Sequence, residues 1–355
     1  LVLALVMDLA MPLAAPAAAL PAAPASSGRE ARLREAALDL QPGDRLLIIG
    51  IRGSVKLQPL PPGSAGTGVA RGKKSLAAGA SAAARDIYAK IAVAARREGQ
   101  VVYLEPTAEG GGKLDWLELA QGGMPELSLE VEAPPGPVDV AWREGRVTIA
   151  GWKGALSVDL LEGSFASRQT EGAIRLQIQR GDAKIDGHRG RLELDSHVAR
   201  LYVAGVDGDV ASENLGGDTV FQGVKGNVQV RASAGATTIA KGSGSLEFES
   251  GAGAVTVSGF AGSLRGQAED GPVAVQVDGD PEVNIESARA PISIRVPAGS
   301  GASVRASTEE GQLVVPEPPL KVLKQPALRS VAGRLSGSGA GTIFAKSKTA
   351  TIQIR

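Results

Sequence analysis

Short runs of alternating apolar and polar residues recur along most of the chain. Typical runs are Gly145-Arg146-Val147-Thr148-Ile149, Gly190-Arg191-Leu192-Glu193-Leu194, Gly226-Asn227-Val228-Gln229-Val230 and Gly253-Ala254-Val255-Thr256-Val257. Period-two alternation is the mark of a strand with one face buried and one face wet. Each run opens on glycine, the residue that reaches φ > 0 without a Cβ clash and so suits a turn. From Gly145 to Gly271, glycine recurs every nine residues at fourteen of fifteen positions, Ala199 being the exception. With 47 glycines in 355 residues, chance would supply about two of those fifteen. The pattern predicts one short strand and one turn every nine residues.

Charge decides how these units stack. Lys153, Glu171, Arg189, Asp207 and Lys225 are spaced by 18 and alternate in sign, as do Asp182, Arg200 and Asp218. In a parallel solenoid of 18 residues per coil, residues i and i+18 lie about 4.8 Å apart, so opposite charges meet. A 27-residue coil would instead stack Asp182 on Asp209. Asp195 over Glu213 breaks the alternation. A second glycine marks alternate units at Gly151, Gly187, Gly205, Gly223 and Gly259, which implies two unlike sides. The expectation is an all-β chain: a parallel β-helix of about 18 residues per coil, in two nine-residue sides, with about seven coils in the ladder.

The flanks read less clearly. Residues 1–25 are almost wholly apolar and end in Ala23-Pro24-Ala25, a signal-peptidase pattern that would place cleavage before Ser26. Asp8, Pro12, Pro16, Pro21 and Pro24 interrupt that run and argue against a membrane anchor, so no transmembrane span is expected in the mature chain. Residues 26–44 form a polar lead-in with helical character. Residues 45–135 are expected to form an N-terminal β region, with a loop over 61–74 and a short helix over about 75–86 capped by Ser75. Residues 136–355 hold the glycine-punctuated solenoid. Its phase slips after Gly271, residues 316–330 read as a proline-rich loop, and Ala350–Ile354 reads as a closing strand.

Composition narrows the function. The chain lacks cysteine, which excludes disulfide scaffolds, cysteine–zinc sites and a lipoprotein anchor. Its 38 Lys+Arg balance 38 Asp+Glu, and phosphate backbones are bound by an excess of cations, so nucleic acid is not an expected partner. Aromatic residues make up only 3% of the chain, which fits a thin core.

The early Gly53–Leu57 strand, the helix-then-strand insertion at 75–104, Val131-Glu132-Ala133-Pro134-Pro135 and the array that follows resemble the bacterial putative adhesins. That resemblance covers roughly residues 40–355. It implies an exported β-helix and supplies no catalytic residues. Ala350 departs from the pattern, standing where a glycine usually precedes the last strand.

Candidate chemistry is sparse. His188 and His197 are nine apart, which places them on opposite sides of a coil and makes shared metal ligation poor, although Asp182, Asp186, Glu193 and Asp195 lie nearby. Gly72-Lys73-Lys74 is like the end of a phosphate-binding loop, but Thr67 occupies the first glycine position and no Ser or Thr follows Lys73 directly. The positions that would hold stacked calcium ligands read Ala150, Asp159, Arg168, Gln177 and Asp186, which is not a repeat. The nearest candidate for sugar chemistry is the outward column Asp159, Gln177, Asp195, Glu213, Arg231 and Glu249. Trp116, Trp142 and Trp152 stand at the start of the array and serve equally well as caps of its core.

No catalytic, cofactor-binding or metal-ligating residue is assigned, and no cofactor is expected. The sequence is best read as an exported, non-catalytic, adhesin-like binding or structural module, periplasmic or at the cell surface, with an unknown protein or glycan as partner. An accessory role in envelope signalling and a polysaccharide-acting β-helix enzyme are the alternatives.

Overall fold

A computed structural model describes residues 28–63, 66–109, 125–280, 282–316, 320, 322–325 and 328–355. The proposed signal peptide and Trp116 lie outside them. The described residues form 26 strands and one helix. Most strands wind into a parallel β-solenoid.

Between residues 138 and 295 the chain makes nine successive coils. On the first side Val138, Leu156, Ile174, Leu192, Val210, Val228 and Leu246 stack in register at intervals of 18. On the second side Val147, Phe165, Ala183 and Leu201 do the same. These residues point inward and are buried. The phase slip is a single insertion rather than an end to coiling. Leu264 pairs with Val283 and Val273 with Ile292, an interval of 19. Coiling therefore runs past the ladder, giving more coils than the glycine count implies.

The ladder glycines have two reasons to be glycine. Gly163 has φ +140°, and a Cβ there would lie 1.8 Å from the carbonyl oxygen of Gly145 in the coil beneath. The opposite corner is built the same way, with Gly190 at φ +129° and 2.0 Å from the Gly172 oxygen. The second glycine set belongs to a column at 151, 169, 187, 205, 223, 241 and 259, all left-handed. Gln169 at φ +51° and Lys241 at φ +54° occupy the two rungs that are not glycine.

Three aromatic residues fit the thin core by resting on glycine. A Cβ on Gly50 would lie 1.9 Å from the ring of Trp142, one on Gly266 2.1 Å from Phe248, and one on Gly242 2.7 Å from Phe260. Trp142 and Trp152 are core residues rather than caps of its end. Their indole N–H groups donate to the carbonyls of Glu144 and Gly136, each at 3.1 Å.

Ion pairs follow the 18-residue spacing but are local. Lys153–Glu171 (3.6 Å), Arg189–Asp207 (3.9 Å) and Asp182–Arg200 (2.7 Å) close. Asp218 instead accepts from the Ala236 N–H at 2.9 Å. An exposed pair contributes about 0.2–1 kcal/mol, whereas burying one Val, Leu or Ile contributes about 1.5–3 kcal/mol. The apolar columns therefore set the coil and the charges trim its register.

Both ends depart from sequence order. Strand Arg45–Pro59 is a coil lying between Val138–Ala150 on one side and Val101–Ala108 with Glu126–Ala133 on the other. The N-terminal end is closed by antiparallel strands. Ile91–Glu98 pairs with Val101–Ala108, and Val69–Leu76 pairs with Glu126–Ala133. The lead-in is not helical: Arg29–Arg32 and Ala36–Ala37 are strands on the free edge of Val69–Leu76.

The latter half of the expected loop over 61–74 is thus strand. The helix lies later than expected, at Ala82–Lys90. Ser75 is in a strand, Gly79 turns at φ +80°, and Ser81 is the cap, its hydroxyl accepting from the Ala84 N–H at 3.1 Å. At the C-terminal end, residues 323–325 and 328–334 form an antiparallel hairpin where a loop was expected. Its strand Leu328–Arg334 closes the edge of Ser303–Thr308. The last strand, Ile352–Ile354, is not outermost: it lies between Ile292–Arg295 and Leu313–Val314.

Replacing Lys241 with Gly should raise stability by about 0.5–1 kcal/mol. A left-handed side chain costs about 1–2 kcal/mol, and the greater freedom of unfolded glycine returns part of that. Gly163→Ala should destabilise by more than Lys241→Gly stabilises. Urea unfolding reads both. A second expectation concerns core packing. Gly266→Ala should be destabilising alone and much less so with Phe248→Leu, and a double-mutant cycle should give a coupling of about 1 kcal/mol or more.

Candidate functional site: a charged groove on one face

The two faces of the solenoid carry different chemistry. Strands such as Ile174–Ile178 and Leu192–Ser196 turn two outward residues per coil to the first face. Down that face run Arg175, Glu193, Ala211, Gln229 and Glu247, and beside them Gln177, Asp195, Glu213, Arg231 and Glu249. Ala211 is short among long neighbours and leaves a depression. The resulting groove has a volume of about 180 Å³ and is lined by both columns. A second depression of about 740 Å³ shares Glu213, Arg231 and Glu249 and extends to Glu286 and Lys348.

Electrostatics in the groove are unbalanced. Arg231 pairs with Glu249 at 3.2 Å and Arg191 with Glu193 at 2.7 Å. Asp195 and Glu213 are register neighbours with no cation in contact among the described residues. The column singled out from sequence is therefore assembled as one row, with Asp159 and Gln177 beyond the groove and Asp195, Glu213, Arg231 and Glu249 side by side on its wall.

The second face is nearly neutral over its later coils. Its outward column reads Tyr202, Val220, Thr238, Thr256 and Ala274. The Tyr202 hydroxyl donates to Gln222 Oε1 at 3.0 Å, and the Lys184 ammonium lies 5.5 Å from its ring centre.

The remaining sequence candidates are dispersed. His188 is buried, with Nδ1 2.9 Å from the Thr170 hydroxyl, whereas His197 is exposed. No cluster of three or more His, Asp or Glu able to hold a metal occurs among the described residues. Lys73 pairs with Glu30 at 2.9 Å, and Lys74 donates to the Ile91 carbonyl at 3.0 Å, below the helix end. Gly72-Lys73-Lys74 is therefore strand and cap, not a phosphate loop. Asp186 pairs with Arg168 at 3.9 Å, which removes it from any calcium array.

Burial of His188 was missed from sequence, yet a signal existed. Reading by 18 from Trp152 gives Thr170, His188, Val206 and Val224, a wholly buried column. Burial pushes the His188 pKa below the ordinary histidine value, and Nε2 has no hydrogen-bond partner.

No known protein family matches the chain, and no curated protein matches it. Among solved structures it is similar to a putative cell adhesion protein from Clostridium sporogenes, at 9% identity over 92% of this chain and 98% of that one, with a TM-score of 0.19. A putative adhesin from Bacteroides fragilis shares 12% identity over 70% and 97% of the two chains, with a TM-score of 0.26. A putative lipid binding protein from Parabacteroides distasonis shares 13% over 77% and 98%, with a TM-score of 0.27.

A histidine held neutral when folded binds fewer protons than the unfolded chain once pH drops below about 6.5. Stability should therefore be unaffected by His188 above that pH and should fall as pH is lowered through it. Asp44 and Asp270 are held below the ordinary carboxylate range, chiefly by hydrogen bonds from Arg97 and Arg289. Their stabilisation is present above that range and is lost only at lower pH. Urea unfolding at pH 7 and pH 5.5 should show a loss in the native chain that shrinks in the double variant His188→Val/Thr170→Val.

Proposed function

We propose that this chain is an exported, non-catalytic binding and structural module of the bacterial cell envelope, with the charged first face as its contact surface. The observation that carries this reading is the long row of outward side chains on rigid strands, with a groove in which Asp195 and Glu213 lack cation partners. Groups left uncompensated on a rigid surface suit contact with a second molecule better than they suit folding. An extended protein segment or a glycan chain could lie along the row. No helix among the described residues is long and apolar enough to cross a membrane, and the apolar residues 1–25 support export as a signal peptide.

One arrangement favours a second reading. Asp195 and Glu213 are one rung apart, about 4.8 Å along the sheet, near the roughly 5–5.5 Å separation of retaining glycosidase carboxyl groups. Such enzymes place the two groups on either side of the scissile bond. Here both stand on one exposed wall, so binding is the better reading.

Purified protein should bind chitosan or cellulose oligomers, or a polylysine probe, in a pull-down without releasing new reducing ends. Asp195→Asn/Glu213→Gln should weaken binding to the cationic probes at least about tenfold, the scale expected for truncating a charged contact. Turnover abolished by Asp195→Asn would replace this reading with the enzymatic one. Retention of the full chain in the cytoplasm on cell fractionation would overturn export.

A further inference from the structure

A cleft of about 830 Å³ runs along the corner where the first side turns into the second, and it shares no residue with the first-face groove. Its floor is glycine on four successive rungs, Gly53, Gly145, Gly163 and Gly181. A Cβ on any of them would lie 1.8–2.1 Å from a carbonyl oxygen of the neighbouring coil. Sterics therefore dictate the floor, whereas the walls are free to vary. Four rungs about 4.8 Å apart make the cleft roughly 15–20 Å long. The next rung at one end is Leu127, and at the other it is Ala199, with Val198 exposed beside it. The one ladder position without glycine thus stands where the cleft ends.

The two walls differ in their electrostatics. On the first-side wall Arg52 lies 3.7 Å from Glu126 and 3.6 Å from Glu144, and Arg180 pairs with Glu162 at 3.7 Å. That wall neutralises itself. The opposite wall reads Ser128, Ser54, Arg146, Ser164 and Asp182 in register. Asp182 is taken by Arg200 at 2.7 Å. Arg146 has no anion in contact among the described residues, and the hydroxyls of Ser54 and Ser164, one rung to either side of it, make no hydrogen bond there. This wall presents one uncompensated cation between two free hydroxyls.

We propose that the cleft binds a short acidic oligosaccharide, with one sugar carboxylate seated on the Arg146 guanidinium. The planar fork of arginine matches the two oxygens of a carboxylate. Ser54 and Ser164 offer hydroxyls about 4.8 Å to either side, within reach of ring hydroxyls on the same chain of sugars. The apolar C–H face of a ring rests on the glycine floor, where no Cβ stands in the way. The cleft volume falls in the roughly 300–1,000 Å³ range of small-ligand sites. A peptide is a poorer occupant. The floor's backbone groups are already paired between coils, so no strand edge is on offer, and no apolar side chain lines a pocket for its residues. A densely charged polyanion is disfavoured too, because Glu144 and Glu162 face it across the floor and only one cation is free.

Calorimetric titration of the full chain tests this by comparing an oligogalacturonate with its methyl ester, which keeps the rings and removes the charge. The acid should bind with a Kd of about 1 mM or tighter, and the ester at least about tenfold more weakly, the scale of losing hydrogen bonds to a charged group. Arg146→Gln should weaken binding of the acid at least about tenfold, and Arg146→Lys should restore only part, since an ammonium has no fork. Arg143→Gln removes an exposed arginine outside the cleft and should change the affinity less than about twofold. No binding of the acid, equal binding of acid and ester, or an equal loss from Arg143→Gln overturns the proposal, and tighter binding of a polyglutamate peptide replaces the sugar as occupant and overturns it too. The acid–ester comparison uses the native chain, so it decides the matter even where a variant fails to fold. The first face is read with cationic probes, so failure here leaves that reading untouched.

Discussion

Close backbone approach at the glycine corners is the constraint on which the rest of this molecule depends. At Gly163, Gly181 and Gly190 a methyl group would lie 1.8–2.0 Å from the carbonyl oxygen of the coil beneath. At these corners a bare Cα lets consecutive coils keep sheet spacing while the chain turns; Ala199, in register with Gly181, is the one ladder position that carries a methyl group, and it is not left-handed. Because the turn has one size, each side has one length, and inward residues fall in columns. The burial of those columns then supplies the main stabilisation. The solenoid is thus a sterically enforced repeat that the hydrophobic effect consolidates.

A thin core limits what can be placed in it. Large side chains are admitted where a neighbouring coil offers glycine, as Gly50 does for Trp142 and Gly266 for Phe248. Phe165 and Phe221 are buried without such a partner, between Val147 and Ala183 and between Val203 and Ile239. His188 is the costlier guest. Its column is otherwise lined by Trp152, Thr170, Val206 and Val224, so one ring nitrogen finds a hydroxyl and the other finds nothing. That leaves a polar defect in the middle of the stack.

Function divides along the same geometry. Period two sends every second residue outward, and the two sides evolve different surfaces without disturbing the core. The first side became a charged face with a groove at Ala211, and the second became largely neutral over its later coils. The candidate column through Asp195 and Glu213 was legible in the sequence, because residues 18 apart must share a column. What it could not show was the depression beside Ala211, or that Arg231 would turn to Glu249 and leave Glu213 without a cation. Side chains at equal spacing choose between neighbours by local packing, which a one-dimensional pattern does not contain.

By itself the sequence determined the coil length, the inward columns, the two unlike sides and the glycine corners. Each of these rests on interactions that repeat at a fixed interval, so each leaves a periodic mark. The tertiary structure alone decided the ends. Residues 29–32, 36–37, 323–325 and 328–334 have little periodicity of their own and become strands because an open sheet edge pairs with them. Arg45–Pro59 and residues 342–355 look like ordinary coils yet sit out of sequence order. Their neighbours are chosen by which edges remain unpaired after the rest has stacked, and backbone hydrogen bonding is indifferent to how far apart in the chain its partners lie.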